Sequence, residues 1–589
     1  MKVSIKAIAG LAAVALMTAC SNDEPVVPGD SNAKPVGQQT YMDVNIQSAA
    51  DSRAAAGDFN DGTMAEHQVS SARFFFFDSD GLYWGSANKW TPSNTTEPDN
   101  VEYMGESTIV LDNVESNQYP TYLFTVLNAP DFEPESTLKA TAAKLLDYSV
   151  KVSGEKYFVM STTSFKGTPT TDGTHYNDTY YYATVLQSSD FKTSPTDATA
   201  TPVNVYVERL AAKVEVLMNA SNKNGAGVYP LHVSVMGNVN GSIDETTAST
   251  EVGVKILGWE LSGTADESYI GKQLADDWTA TSTDPFSGWN NADRFRSYWA
   301  MSKYYGETDP TAVLAYKKWT ELGLDFDANN YTYCNEYTNT KDNVTKTTAA
   351  DGTKVEVAKT THVMIKAQLT DLEGNPMKAI KYNGYLFTYD RYKDYVLSEV
   401  DRGTGNLNLY TFDAVKNEYK QVDCNHFDFV LATDESLNGT DFVTSVADNQ
   451  LAGVGKVVVV PALKEGVQYY TKNGANDYVT VETATAKTTL MQQLAAAQTI
   501  KAEAINEAMY YTIAVKHNPD FEDTAEAKYG VVRNHWYEVS VNAITQVGHG
   551  LFDPDNEVII PEGPEDDKYF LATRIKVLSW RIIRQNEDL

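Results

Sequence analysis

The sequence predicts a mainly β protein assembled from β-sandwiches, and three observations carry that expectation. Short runs in which apolar and polar residues alternate recur between Gly, Asn and Asp clusters, the two-residue period of half-buried strands. Tyr, with 36 copies, and Thr are plentiful, and both suit a pleated surface. At 589 residues the chain exceeds what one core holds, and two domains are the simplest division.

Acidic residues outnumber basic ones, 79 to 47, for a net charge of −32 spread along the chain. Such a surface repels nucleic acid and anionic lipid, so neither is an expected partner. The charge bears on solubility and leaves the fold open.

The opening residues read as an export segment. Lys2 and Lys6 precede an apolar run, residues 7–17, too short for a permanent membrane helix. It ends Leu16-Met17-Thr18-Ala19-Cys20, which resembles a bacterial lipobox with Cys20 as the lipidated residue, although Met17 stands where Leu is usual. A plain signal peptide that happens to hold a Cys is the alternative. Ser21-Asn22-Asp23-Glu24 resembles the acidic signal that sends lipoproteins to the surface of certain Gram-negative anaerobes. Residues 21–40 are Pro, Gly, Asn, Asp and Ser with few apolar side chains, a solvated tether.

Between Tyr41 and Gln47, Met42, Val44 and Ile46 alternate with Asp43, Asn45 and Gln47, which predicts a strand. Arg53 follows in Ala49-Ala50-Asp51-Ser52-Arg53-Ala54-Ala55-Ala56-Gly57, a small-residue segment that a protease can seat. Two readings stay open. The strand is provisional and leaves its sheet once the chain is cut, or it is an ordinary first strand followed by a loop.

Further along, Phe74-Phe75-Phe76-Phe77 predicts a strand covered on both faces, and Asp78-Ser79-Asp80-Gly81 a hairpin turn. Asp58, Asn60, Asp78 and Asp80 suggest calcium, but no loop supplies the distal glutamate such a site uses, so turn chemistry is preferred. Strands are expected at 108–111, 122–128, 157–161 and 203–216, with a short helix placing Leu138, Ala142, Leu145 and Leu146 on one face. The polar stretch 237–250 is read as the domain boundary. Beyond it, strands are expected at 254–261, 363–369, 457–460, 509–515, 536–541 and 569–583, and an Ala-rich helix at 489–508. Residues 278–293, rich in Trp and Asn, read as a surface loop, and 553–567 as an acidic linker.

No reaction-bearing constellation emerges, and no enzyme, cofactor or metal is expected. The sequence lacks a Gly-rich phosphate loop and a nucleophile elbow. His517 and His535, with Asp520 or Glu522, are the one weak metal hypothesis, and core or surface histidine is the preferred reading. Cys334 and Cys424 are left either bridged or as two free thiols.

The chain resembles the fimbrillins of type V pili, in particular Mfa-like subunits of the minor fimbrium type. The residues that carry the resemblance are Tyr529-Gly530-Val531-Val532-Arg533-Asn534-His535-Trp536-Tyr537, Val207-Glu208-Arg209 with Lys213-Val214, Tyr333-Cys334-Asn335-Glu336, and the closing Ile575-Lys576-Val577-Leu578-Ser579-Trp580. An insert at 469–508 departs from the family. The resemblance implies two transthyretin-like β-sandwiches in tandem with a few short helices. It divides the chain into a lipoprotein signal peptide (1–19), a lipidated tether and removable first strand (20–53), an N-terminal sandwich (54–245), a C-terminal sandwich (246–567) and a donor strand (568–589).

It further implies a structural subunit of a cell-surface fimbria serving adhesion, exported as a lipoprotein, anchored to the outer membrane through lipid and cut by an Arg-specific protease. Polymerisation by donor-strand exchange then joins it to other fimbrial subunits, in a homopolymer; the surface receptor is not named by the sequence. By position, Arg53 is the cut site, Met42, Val44 and Ile46 the removed plug, and Leu571, Ile575, Val577, Trp580 and Ile582 the donor. Leu571, Ile575 and Val577 share a face from which Trp580 and Ile582 depart, so a break near Ser579 is expected. The competing reading is a glycan-binding surface lipoprotein using Trp278, Trp289, Trp299 and Tyr298 as exposed stacking rings.

Overall fold

The computed structural model describes residues 5–8, 38–48, 59–60, 66, 68–88, 91–92, 103–114, 118–146, 157–163, 182–234, 237–239, 242–244, 249–273, 299–326, 331–339, 344–348, 354–382, 385–404, 407–431, 458–497, 502–519, 528–551, 553–556, 558–561, 571–576 and 580–585. They form a mainly β protein, and the expected tandem of β-sandwiches is borne out.

The N-terminal unit is one ten-stranded sheet. Its main order runs Ile5–Ile8, Tyr103–Val114, Gln38–Ser48, Val203–Arg209, Met160–Thr162, Tyr122–Leu127, Ala72–Phe77, Tyr83–Ala87. The first and last of these strands touch, so the sheet wraps around an inner core. The four-phenylalanine run shows why both of its faces are buried. Phe74 and Phe76 enter that inner core with Met42, Val44, Ile109 and Val205, while Phe75 and Phe77 pack outward on Phe124, Phe132, Leu138 and Ala142. At the hairpin that follows, Asp78 Oδ1 accepts from the Asp80 and Leu82 amides, so this aspartate is occupied by its turn.

The C-terminal unit packs two sheets face to face. One orders Tyr331–Cys334, Ala212–Met218, His535–Ile544, Trp580–Gln585 and Phe59–Asn60, with Leu571–Lys576 also on His535–Ile544. The other orders Tyr229–Ser234, Ser249–Ser262, His362–Thr370, Ala508–Ala514 and His549–Gly550. Val214, Val216, Trp259, Val363, Ile365, Tyr511, Tyr537 and Val539 fill the space between them.

Sheet membership moves the domain boundary expected at 245/246. Ala212–Met218 pairs with His535–Ile544, and Tyr229–Ser234 with Ser249–Ser262, so both belong to the C-terminal sandwich. The chain changes units at Leu210-Ala211, both buried. The polar stretch contains a short hairpin, Gly237–Val239 against Ser242–Asp244, inside the second unit.

A third module lies between His362–Thr370 and Ala508–Ala514, beginning well before the insert expected at 469. It holds a five-stranded sheet ordered Tyr385–Phe387, Lys378–Tyr382, Ala502–Asn506, Val458–Leu463, Phe427–Leu431. A four-stranded sheet made of Glu418–Gln421, Tyr410–Asp413, Tyr469–Lys472 and Tyr478–Val481 completes its strands, beside the helices Tyr389–Thr404 and Thr483–Ala497. Its own core, with Tyr392, Val396, Leu407, Tyr469 and Leu490, closes on Met364 and Tyr510 from the outer face of the sandwich. Strand alternation explains the docking: Met364 points opposite to Val363 and Ile365. The Ala-rich helix ends at Ala497, because Ala502–Asn506 runs on as a strand between Lys378–Tyr382 and Val458–Leu463.

Candidate functional site

The opening strand Gln38–Ser48 is interior to its sheet. On one edge it runs antiparallel to Tyr103–Val114, with Met42 opposite Ile109 and Val44 opposite Ser107. On the other it runs parallel to Val203–Arg209, with Val44 opposite Val203 and Ile46 opposite Val205. Met42 and Val44 are closed to water and pack on the inner core. Asp43, on the opposite face, is also buried. Fully burying two such apolar side chains stabilises by roughly 3–6 kcal/mol before ordering costs. Without this strand two sheet edges face each other across an apolar slot, with their backbone donors and acceptors unpaired.

The far end of Val203–Arg209 runs into a buried polar junction between the two units. Lys213 Nζ lies 2.9 Å from Glu66 Oε1, and the Tyr333 hydroxyl donates to the same oxygen at 2.7 Å. Arg209 Nε donates to the Glu66 carbonyl at 2.6 Å and its Nη1 to Asn534 Oδ1 at 3.1 Å. Beside them Lys272 pairs with Glu208 at 2.9 Å, both fully buried. Burial lowers the Lys213 pKa even against the pull of Glu66, and burial beside Glu66 pushes the Tyr333 hydroxyl far above its ordinary value. Each lysine is paired with a glutamate and Arg209 is held by hydrogen bonds, the condition under which ions survive inside a fold.

The motif at 529–537 builds the second half of this junction. Arg533 grips Glu336 through Nη2 to Oε1 at 3.0 Å and Nε to Oε2 at 3.2 Å, and donates to the carbonyls of Ile270 at 3.1 Å and Tyr269 at 2.7 Å. Gly530 sits at φ 123°, and a Cβ there would lie 2.8 Å from the Tyr337 carbonyl oxygen, so the turn demands glycine. Asn534, at φ 57°, presents the Oδ1 that Arg209 reaches. Tyr537 accepts from the Val532 amide at 2.9 Å and shares a 2.7 Å bond with His517 Nδ1.

The closing segment lies on the C-terminal sandwich, away from the slot of its own chain. Leu571–Lys576 pairs antiparallel with His535–Ile544, placing Leu571 opposite Ile544 and Ile575 opposite Val539. Trp580–Gln585 pairs parallel with the start of the same strand, with Ile582 opposite Trp536. The expected single strand is thus two, and Val577 falls between them, outside the described residues. Cys20 and Arg53 also lie outside them.

The expectation of an exposed stacking ring at Trp299 is corrected. Trp299 is 3% exposed, so it offers no ring face to a sugar; Trp278, Trp289 and Tyr298 lie outside the described residues. His517 and His535 do meet, with ring centroids 4.9 Å apart, but both are buried against Tyr537 and Trp299. Among the described residues no group of three His, Cys, Asp or Glu is placed to hold a metal, and Asp520 and Glu522 are not among them. Cys334 and Cys424 are free thiols, the first buried.

The junction was missed in the sequence reading, yet it leaves a trace: Glu208, Arg209 and Lys213 sit inside an otherwise apolar run, where a charge needs a partner.

The described residues form β-sandwiches in tandem, with Gln38–Ser48 in the N-terminal sheet and Trp580–Gln585 in a sheet of the C-terminal sandwich. Residues 505–586 match the family model described as major fimbrial subunit protein type IV, fimbrillin, C-terminal, and over that segment the fimbrillin resemblance is borne out. No curated protein matches. Among solved structures, a putative cell adhesion protein from Parabacteroides distasonis ATCC 8503 is similar at 11% identity and a TM-score of 0.37, covering 92% of this chain and 97% of that one. A fimbrilin from Porphyromonas gingivalis W83 is similar at 10% identity and a TM-score of 0.33, over 92% and 98% of the two chains. The tip fimbrial protein Mfa3 from Porphyromonas gingivalis follows at 10% and 0.26, over 87% and 97%.

Proposed function

We propose that this chain is a structural subunit of a surface fimbria that polymerises by strand exchange. The observation that carries the reading is the placement of Gln38–Ser48: an interior strand, paired on both edges and anchored by Met42 and Val44, with Arg53 a few residues beyond its end. Cutting after Arg53 severs that strand from the rest of the fold. The slot then takes a strand of matching alternation from the tail of a neighbouring copy, which satisfies the open backbone and refills the apolar positions.

In this scheme the precursor is a lipoprotein on Cys20 at the outer membrane, an Arg-specific protease matures it, and Leu571, Ile575, Val577, Trp580 and Ile582 lie in the donated tail. Arg53→Ala tests the scheme. It leaves a full-length lipidated monomer with no polymer ladder on a gel; ladders persisting in that variant refute processing at this site.

A further inference from the structure

The segment just beyond the cut site and the tail strand lie against one another. Phe59–Asn60 runs antiparallel to Trp580–Gln585, with Phe59 opposite Arg581 and Asn60 opposite Trp580. The other edge of Trp580–Gln585 pairs with His535–Ile544, from His535 opposite Arg581 to Tyr537 opposite Ile583. The tail strand is therefore paired on one edge from Arg581 to Ile583 and covered on the other at Trp580 and Arg581.

Phe59–Asn60 is only two residues long. A strand so short makes too few backbone hydrogen bonds to hold itself against the entropy of free chain. Two anchors keep it in place. On the N-terminal side is the opening strand, which ends at Ser48 inside its sheet. On the C-terminal side is Glu66, fixed by Lys213, Tyr333 and Arg209 at the buried junction. Fixed at both ends, the intervening chain holds Phe59–Asn60 at high effective concentration beside the tail.

We propose that Phe59–Asn60 is a latch on the donor: it covers the outer edge of the tail strand at Trp580 and Arg581 until the chain is cut, and the cut that frees the acceptor slot also lifts it. The inference rests on the reading that Arg53 is cut and the tail donated. With one anchor severed, Phe59–Asn60 is tied to the fold through Glu66 alone, and the pairing to the tail loses its closure. The tail then keeps a single paired edge and presents unpaired donors and acceptors on the other, the state from which a strand is exchanged most readily. Premature self-assembly is thus suppressed on the donor as well as on the acceptor.

Amide exchange over residues 580–585 tests the latch in three samples of the full chain: Arg53→Ala as the uncut form, the chain matured by an Arg-specific protease, and Asn60→Pro in the uncut background. Proline at 60 fixes φ and carries no amide, which disfavours a two-residue strand pairing, and it leaves both anchors intact. The latch predicts that exchange at 580–585 rises roughly tenfold in the matured chain and in Asn60→Pro, the effect of losing one or two backbone hydrogen bonds, while Gln38–Ser48 stays protected in Asn60→Pro. Equal exchange at 580–585 in all three samples overturns it. The donor reading is tested apart from this by ending the chain at Asp567. Assembly that survives that truncation refutes donation, whereas unchanged exchange with truncation-sensitive assembly refutes the latch alone.

Discussion

Lys213 and Glu66 form an ion pair at 2.9 Å with both side chains closed to water, and the pair ties Glu66 to the first strand of the C-terminal sandwich. A buried charge that loses its partner costs far more than the pair contributes. Lys213→Met is therefore expected to destabilise by about 3–5 kcal/mol, read as a fall in the midpoint of denaturant unfolding. Adding Glu66→Gln to Lys213→Met recovers part of that loss, because no uncompensated charge remains.

Arg533 makes four hydrogen bonds that a lysine cannot reproduce, two of them a fork on Glu336. Arg533→Lys keeps the charge and loses the fork, so it is expected to lower stability measurably in thermal unfolding, by about 1–3 kcal/mol. Stability equal to that of the parent chain would show the fork to be dispensable.

Glu215 lies opposite Glu538 on paired strands, and burial together with that like charge raises its pKa to about 7; Lys213 and Trp536 pull it the other way. Its folded pKa exceeds its unfolded value, so the folded state binds the extra proton. The contribution to stability is then full below the ordinary carboxylate range and is lost as pH rises through about 7. Urea midpoints should be higher at pH 5 than at pH 8, and Glu215→Gln should flatten that slope.

Burial pushes the Cys334 thiol up to about 12, while Cys424 is only partly covered, its pKa raised by burial and the carboxylates around it. Maleimide labelling of the folded chain is expected to modify Cys424 and spare Cys334, with Cys334 reacting only in denaturant. A mass corresponding to a bridge between the two contradicts this.

Under the strand-exchange proposal, a chain that begins at Ala54 and ends at Asp567 has neither plug nor tail, and its slot is open. A synthetic peptide of residues 38–48 is expected to bind it and raise its melting temperature. The same peptide with Val44→Asp binds weaker by roughly 10- to 100-fold, the equivalent of one buried valine, measured by calorimetry.

The strands were legible wherever apolar and polar residues alternate in the sequence, as at Met42, Val44 and Ile46 against Asp43, Asn45 and Gln47. Phe74 to Phe77 was legible for the opposite reason, since two cores need apolar residues on both sides. The domain boundary was not. Composition marks exposed loops, and the longest polar stretch is an excursion within one sandwich, whereas the real crossing at Leu210-Ala211 is buried and apolar. The helix Tyr389–Thr404 escaped because its apolar residues, Tyr392 and Val396 buried and Tyr389, Tyr395 and Leu397 half-buried, are interrupted by charged ones. Partners distant in sequence, such as Glu66 with Lys213 and Glu336 with Arg533, leave no local period, and only the fold brings them together.

The central claim is that the first strand is provisional and its place is taken by another chain. Mass spectrometry of the subunit's N-terminus in purified fibres tests it most directly. The account predicts that the polypeptide begins at Ala54, with residues 38–48 absent. Assembled subunits that begin at an acylated Cys20 and retain those residues contradict it.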